Sequence, residues 1–321
     1  MTVVILQDTQ TGSTARIDPQ RGFNCYDFTA VVDGRQVRVI DADPNFEQGA
    51  GSPSGDGIPI LFPYPNRIRE GRYVWDDREY AVPPSRVRHD PDGNAIHGFC
   101  LDRAWRVEES SDTSVVGLFQ LSADAPDRLE CWPGDFVLRV RYTVRGASLL
   151  MEVDVANPGP NPLPWGFGTH PYFRLPLSGD SHPKRCLIEV PAGEAWELER
   201  CLPTGGRAAV EPGKDLREGA YFDVLQLDDV LTGLTAREDT IECRIVDEQA
   251  GLEVVQRCPA DFREMVVYTP SGRDAVCIEP YTCLTDAIRL QQRGVDAGLR
   301  VLAPGENFQT WIEIGAGMVM A

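Results

Sequence analysis

Apolar and polar residues alternate with a period of two along much of this chain, and helical periodicity is nearly absent. Asp135 to Val144 reads DFVLRVRYTV and sets Phe136, Leu138, Val140, Tyr142 and Val144 against Val137, Arg139, Arg141 and Thr143. Such a segment buries one face only as a β-strand. A short turn at Arg145-Gly146-Ala147 leads into Ser148 to Ala156, which alternates again, so the two predict an antiparallel hairpin. Arg72 to Trp75 with Glu79 to Val82, and Ile241 to Val246 with Leu252 to Gln256, predict two more. Val115 to Leu121, Leu187 to Val190, Met265 to Tyr268, Val276 to Ile278 and Phe308 to Ile314 read as further strands. Thr285 to Arg293 is the one persuasive short helix. Gly49 to Ile60, Pro158 to Pro164 and Pro203 to Gly213 read as loops. Glycine (30) and proline (25) make up about a sixth of the 321 residues, which suits many turns. No linker or internal repeat divides the chain. The expectation is an all-β fold: one large antiparallel β-sandwich domain spanning residues 1–321, with a concave face able to hold a small ligand.

Net charge narrows the partners. At −18 with a pI near 4.6, the surface repels a phosphate backbone or an anionic membrane, so neither nucleic acid nor membrane is expected. The start, Met1 to Asp8, lacks a basic segment and a long apolar run, so no leader peptide is expected there. Nine scattered cysteines without a Cys-x-x-Cys pair predict neither a zinc ribbon nor a thioredoxin-like site. They suit reduced core thiols in a cytoplasmic protein.

Chemistry has few places to reside. The histidines are His89, His97, His170 and His182. None are spaced as a metal-binding pair, so no metal site is expected from spacing. His170 lies in Trp165-Gly166-Phe167-Gly168-Thr169-His170-Pro171-Tyr172-Phe173, and His97 in Ala95-Ile96-His97-Gly98-Phe99. By itself each reads as easily as a satisfied core histidine as a proton-transfer group. Glu279 follows the apolar run Ala275 to Ile278, where Pro280 is expected to stop the strand at a loop mouth. In isolation Glu279 is an ordinary surface charge, Arg67 an ordinary surface arginine, and Asp228 and Asp229 acidic loop residues.

Taken in order, these segments resemble the aldose 1-epimerase (galactose mutarotase) family from about Gly57 to Glu313. Gly168-Thr169-His170-Pro171-Tyr172-Phe173 is the most specific element. Pro65-Asn66-Arg67-Ile68 with Gly71, Tyr73 and Tyr80 follows, then Ile278-Glu279-Pro280, and last Leu227-Asp228-Asp229. The resemblance implies a large β-sandwich with its site in the concave face. It also implies cofactor-free interconversion of the α and β anomers of a small-molecule sugar. Glu279 would be the base at the anomeric hydroxyl and His170 the acid at the ring oxygen, on opposite sides of the ring, with the carboxylate keeping the imidazole protonated. Arg67 and His97 match the family's sugar contacts, as does Asp228, with Asp229 as the fallback. Trp165 and Tyr172 either stack on the sugar or belong to the core.

Two departures bear on substrate choice. Leu231 stands where an aromatic residue often follows the Asp pair, and Tyr281 to Asp286 match the family only loosely. A branch acting on hexose 6-phosphates needs a basic cluster, for which Arg67, Arg69, Arg72, Arg86 and Arg88 are candidates. A carbohydrate-binding module without catalysis and a sandwich lyase or hydrolase of sugar polymers are the competing classes. The module need not keep both His170 and Glu279, and this chain has both.

Overall fold

In the computed structural model, which describes residues 3–319, two large antiparallel sheets enclose one apolar core. The nine-stranded sheet runs in the order Arg106–Ser110, Ser114–Gln120, Val137–Arg145, Ser148–Ala156, Asn307–Met318, Leu252–Pro259, Thr240–Asp247, Cys186–Glu189 and Ala220–Tyr221. The eight-stranded sheet has the path Leu202–Ala209, Ala192–Glu199, Asp228–Leu234, Glu264–Tyr268, Ala275–Tyr281, Gly168–Thr169 and Ile60–Leu61. Tyr172–Arg174 also pairs with Ala275–Tyr281. A third, four-stranded sheet is built from the segments Val4–Gln7, Thr14–Asp18, Asn24–Val32 and Arg35–Arg38. The start of the chain read above as Met1 to Asp8 falls partly outside the described residues.

Alternation decides which side chains meet. Leu138, Val140, Tyr142, Met151, Val153, Val254, Ile245 and Ile312 of the nine-stranded sheet pack in the same core as Leu231, Met265, Val267, Val276 and Ile278 of the eight-stranded one. The alternate residues of the eight-stranded sheet, among them Asp228, Glu264, Tyr268, Cys277, Glu279 and Tyr281, therefore face away from that core. Beside them lies a smaller apolar cluster of Leu61, Trp196, Val230, Val266, Leu284 and Leu290, formed with the helix Ala287–Gln292. Among the described residues no helix is long and apolar enough to cross a membrane.

The predicted hairpin pairs Val137–Arg145 with Ser148–Ala156, closing at Arg145 opposite Ser148. Two readings need correction. Pro203 to Gly213 is not a loop throughout: Leu202–Ala209 is a strand paired with Ala192–Glu199, with a register shift between Trp196 and Leu198. Nor does Pro280 stop its strand, which continues to Tyr281. On one side Pro280 pairs with Met265. On the other, Gly168 meets Tyr281 and Tyr172 meets Cys277, so Ile278 to Pro280 have no strand partner there. Proline has no N–H to give to a ladder, and it falls in the stretch that offers none.

Positive φ is required where the chain turns below that gap. His97 has φ 70° and Gly98 φ 75°. A Cβ on Gly98 would lie 2.3 Å from the carbonyl oxygen of Phe62. Gly98→Ala is expected to cost about 2 kcal/mol, the scale of one strained backbone site. An unchanged urea midpoint in the variant would show that the segment relaxes without cost.

Candidate active site

The break in the strand pairing builds the site. Between Gly168–Thr169 and Tyr172–Arg174 the chain leaves the ladder, and His170 and Pro171 occupy the interval opposite Ile278 to Pro280. The His170 backbone is anchored by its N–H to the Pro59 carbonyl at 3.0 Å. Its imidazole then meets the carboxylate of Glu279, with Nε2 3.3 Å from Oε1. Both residues are buried, His170 at 7% and Glu279 at 2% exposure. Tyr281, two residues along the same strand and on the same face, donates its hydroxyl to the other carboxylate oxygen.

Burial dominates the electrostatics of this pair. It pushes the imidazole of His170 down to about 3. It raises the Glu279 carboxyl well above its ordinary value; Asp228 raises it further, while Tyr281 and Arg67 oppose. Desolvation works against the expectation that the carboxylate keeps His170 charged. Both directions favour the uncharged forms of the two groups. A neutral acid beside a neutral imidazole has the same proton count as a carboxylate beside an imidazolium. The opposite-sides picture is corrected, since 3.3 Å leaves no room for a sugar ring between the groups.

His97 stands beside this pair, its ring 5.5 Å from that of His170 at 77°. Burial, with smaller contributions from His170, Arg67 and Arg88, holds it well below its ordinary value. Its Nδ1 is buried without a partner. Arg67 pairs with Ile96 across a two-residue ladder, and the His97 N–H bonds the Asn66 carbonyl at 2.7 Å. The guanidinium is fixed by Asp90 at 2.8 Å and by the Asn66 side chain at 2.7 Å. Asp228 opens its strand on the cleft face, near enough to raise Glu279, and accepts a contact from the Cys201 thiol at 3.7 Å. Its neighbour Asp229 is held by Lys214 at 2.7 Å. Asp228 is thus the member of the pair that faces Glu279. Leu231 points into the inter-sheet core, so the missing aromatic there does not touch the site.

Both aromatic candidates are packed. Trp165 is 1% exposed, with its ring 5.3 Å from Phe308 and 6.2 Å from Phe62, and is a core residue. Tyr172 stacks on His170 itself, with centroids 4.7 Å apart and planes 5° from parallel. The Arg273 guanidinium lies over its ring, and its hydroxyl bonds the Ser54 carbonyl at 3.2 Å. It backs the imidazole and offers no open face to a sugar. Tyr268, 6.3 Å from His170 at 88°, is the partly exposed aromatic instead. Sequence reading missed Tyr268, Tyr281, Cys277, Arg273 and Asp90. For Cys277 and Tyr281 the signal was present, since both share the parity of Glu279 along their strand.

The five arginines proposed as a phosphate cluster do not converge. Arg69 pairs with Asp286 and Arg86 with Asp127, while Arg72 lies on a separate hairpin. Only Arg88 joins Arg67 near His97, bonding Ser54 at 2.7 Å beside a cavity of about 140 Å³. The remaining histidines are structural: His89 bonds the Gly93 and Val82 carbonyls, and His182 caps a short turn. All nine cysteines are free thiols, and only Cys201 is partly exposed. His170, Cys277 and Glu279 place one ligand atom each within 4.8 Å of one another, a grouping able to hold a metal ion that spacing in the sequence did not reveal.

Residues 20–315 match the family model described as aldose 1-epimerase. The chain belongs to the aldose 1-epimerase family. The uncharacterized protein YihR of Escherichia coli K12 is 27% identical over 260 residues, covering 79% of this chain and 77% of that protein. Galactose mutarotase of Rattus norvegicus is 27% identical over 162 residues, covering 50% of this chain and 42% of the rat protein. A galactose mutarotase-like protein from Clostridium acetobutylicum has the same fold, with a TM-score of 0.83 at 20% identity and 99% coverage of both chains. The homologue from C. elegans aligns with a TM-score of 0.80, also at 20% identity and 99% coverage of both chains.

A second carboxyl lies deep on the cleft face. Glu264 pairs across the ladder with Tyr281 and accepts from the Trp196 indole at 2.8 Å. Burial raises it from 4.5 to about 7. A carboxyl raised in the folded state stabilises the fold fully below its unfolded value and loses that contribution as pH rises through the folded one. Glu264 should therefore cost stability between pH 4.5 and about 7, by about 3 kcal/mol at most. Glu264→Gln is expected to lose less stability than wild type between pH 5 and pH 8 in denaturant titrations. Equal losses would remove Glu264 as the cause.

Proposed function

We propose that the protein is an aldose 1-epimerase acting on a free aldohexose, with Glu279 as base and His170 as acid. The observation that carries this reading is the 3.3 Å contact between His170 Nε2 and Glu279 Oε1 on the face of the eight-stranded sheet turned away from the inter-sheet core. The anomeric hydroxyl oxygen and the ring oxygen are both bonded to C1. Two proton-transfer groups side by side therefore serve both from one side of the sugar.

The protons balance over a full cycle. The sugar's hydroxyls replace part of the water that burial removed and favour the charged form, carboxylate beside imidazolium. Glu279 takes the proton from the C1 hydroxyl, His170 gives one to the ring oxygen, and the C1–O bond of the ring breaks. The dyad is then neutral, the form that burial favours, while the sugar is an open-chain aldehyde. Rotation about C1–C2 presents the other carbonyl face. On reclosure His170 takes the proton back from the C5 hydroxyl as its oxygen attacks C1, and Glu279 returns one to the anomeric oxygen. The Tyr281 hydroxyl steadies the carboxylate through its second oxygen. Arg67, His97 and Asp228 supply fixed donors and an acceptor for the remaining hydroxyls. No cofactor enters any step.

The assay is a polarimetric or proton-NMR time course of freshly dissolved D-glucose and D-galactose in dilute buffer. Acceleration is expected, and His170→Asn and Glu279→Gln should each lower it by about 10²–10⁴-fold, the range for one acid–base group. Wild-type rates in both variants would sink the assignment. Saturable sugar binding by calorimetry without acceleration would make the protein a binding module instead.

A further inference from the structure

The mechanism does not use every group on this face, and one that it leaves is a buried thiol. Cys277 lies two residues before Glu279 on the same strand and face, and it is fully buried. Its thiol sulfur, an imidazole nitrogen of His170 and a carboxylate oxygen of Glu279 all fall within 4.8 Å of one another. We propose that these three side chains form a binding site for a zinc-type soft divalent cation, and that an ion bound there excludes the sugar.

Donor chemistry and charge point the same way. One sulfur, one imidazole nitrogen and one carboxylate oxygen are the mixture that zinc accepts, with three protein ligands and a fourth position open to the cleft. Magnesium and calcium require a shell of oxygens that this site does not offer. On binding, the Cys277 thiol and the Glu279 carboxyl each release a proton, against the burial that holds both well above their ordinary values. The thiolate and carboxylate then cancel the two positive charges beside a neutral imidazole, so the buried complex is neutral. Nearby Arg67 and Arg273 add little repulsion, being matched to Asp90 and Asp41 at 2.8 and 2.6 Å. Tetrahedral ligation needs the donor atoms to close up by less than about 1–1.5 Å.

One feature limits affinity. A metal-bound histidine ordinarily donates its other ring N–H to an acceptor, yet Nδ1 of His170 has no partner. The site is therefore a reversible, inhibitory one rather than a seat for a resident ion.

Binding is independent of the proposed function, whereas inhibition rests on it, so the experiment has two arms. Untagged protein is titrated with Co²⁺, which reports thiolate ligation by a near-ultraviolet charge-transfer band. One equivalent is expected, displaced by Zn²⁺ but not by Mg²⁺, and the band should vanish in Cys277→Ser and Cys277→Ala. In the mutarotation assay Zn²⁺ should slow wild type. Each Cys277 variant, compared with its own zinc-free rate, should be at least tenfold less sensitive. No charge-transfer band, or the same band in a folded Cys277 variant, overturns the site. Zinc sensitivity unchanged by both variants, or matched by Mg²⁺, overturns the inhibition. Cobalt binding through Cys277 in a protein that accelerates no sugar would leave the metal site standing and remove the epimerase reading.

Discussion

A carboxyl and an imidazole are buried side by side, and that constraint governs the rest of the site. Separately, each would be expensive to bury in its charged form. Side by side, each lessens the cost of the other's charge when a polar ligand arrives. The supporting residues follow from this. Tyr281 satisfies the outer carboxylate oxygen, and Tyr172 covers the imidazole with a flat ring. The sheet gives up ladder pairing over Ile278 to Pro280 so that His170 can enter beside Glu279.

Around that pair the structure keeps its fixed charges at the rim. Arg67 is oriented by Asp90, itself gripped by Asn94 through its backbone N–H at 2.8 Å and its side chain at 3.0 Å. Asp228 contacts Cys201 at the turn between two strands of the eight-stranded sheet. The two rim segments approach each other where Arg200 lies 3.9 Å from Asp92. Exposed pairs of this kind contribute little to stability. His170 and Glu279 are thus desolvated, whereas the segments around them are polar and held by weak surface contacts. Hydroxyl preference among sugars would be set at the rim rather than at the dyad.

Much of this was legible in the sequence. The hairpin from Val137 to Ala156 followed from alternation alone, and the segments carrying His97, His170 and Glu279 stood out as motifs. What was not legible depends on distance or on dielectric. Alternation cannot weigh desolvation, which acts against a charged His170. Nor does it reveal that Trp165 lies against Phe308, or that Tyr172 is covered by His170, because those neighbours are far away in sequence. Leu202–Ala209 was missed for a local reason: Pro203, Gly205 and Gly206 look like turn residues, yet strand pairing with Ala192–Glu199 overrides them.

The parity of Ala275–Tyr281 has a consequence for how this protein tolerates errors of length. Val276 and Ile278 belong to the inter-sheet core, while Cys277, Glu279 and Tyr281 belong to the cleft. A single residue inserted or lost within the strand would exchange the two sets, turning a carboxylate and a phenol toward the apolar interior and two aliphatic chains toward the cleft. Folding and chemistry are written on opposite faces of one ribbon, so a slipped register cannot yield a well-folded but inactive molecule. Such a chain would be lost to misfolding, so selection for a folded core would by itself keep Glu279 and its neighbours on their own face.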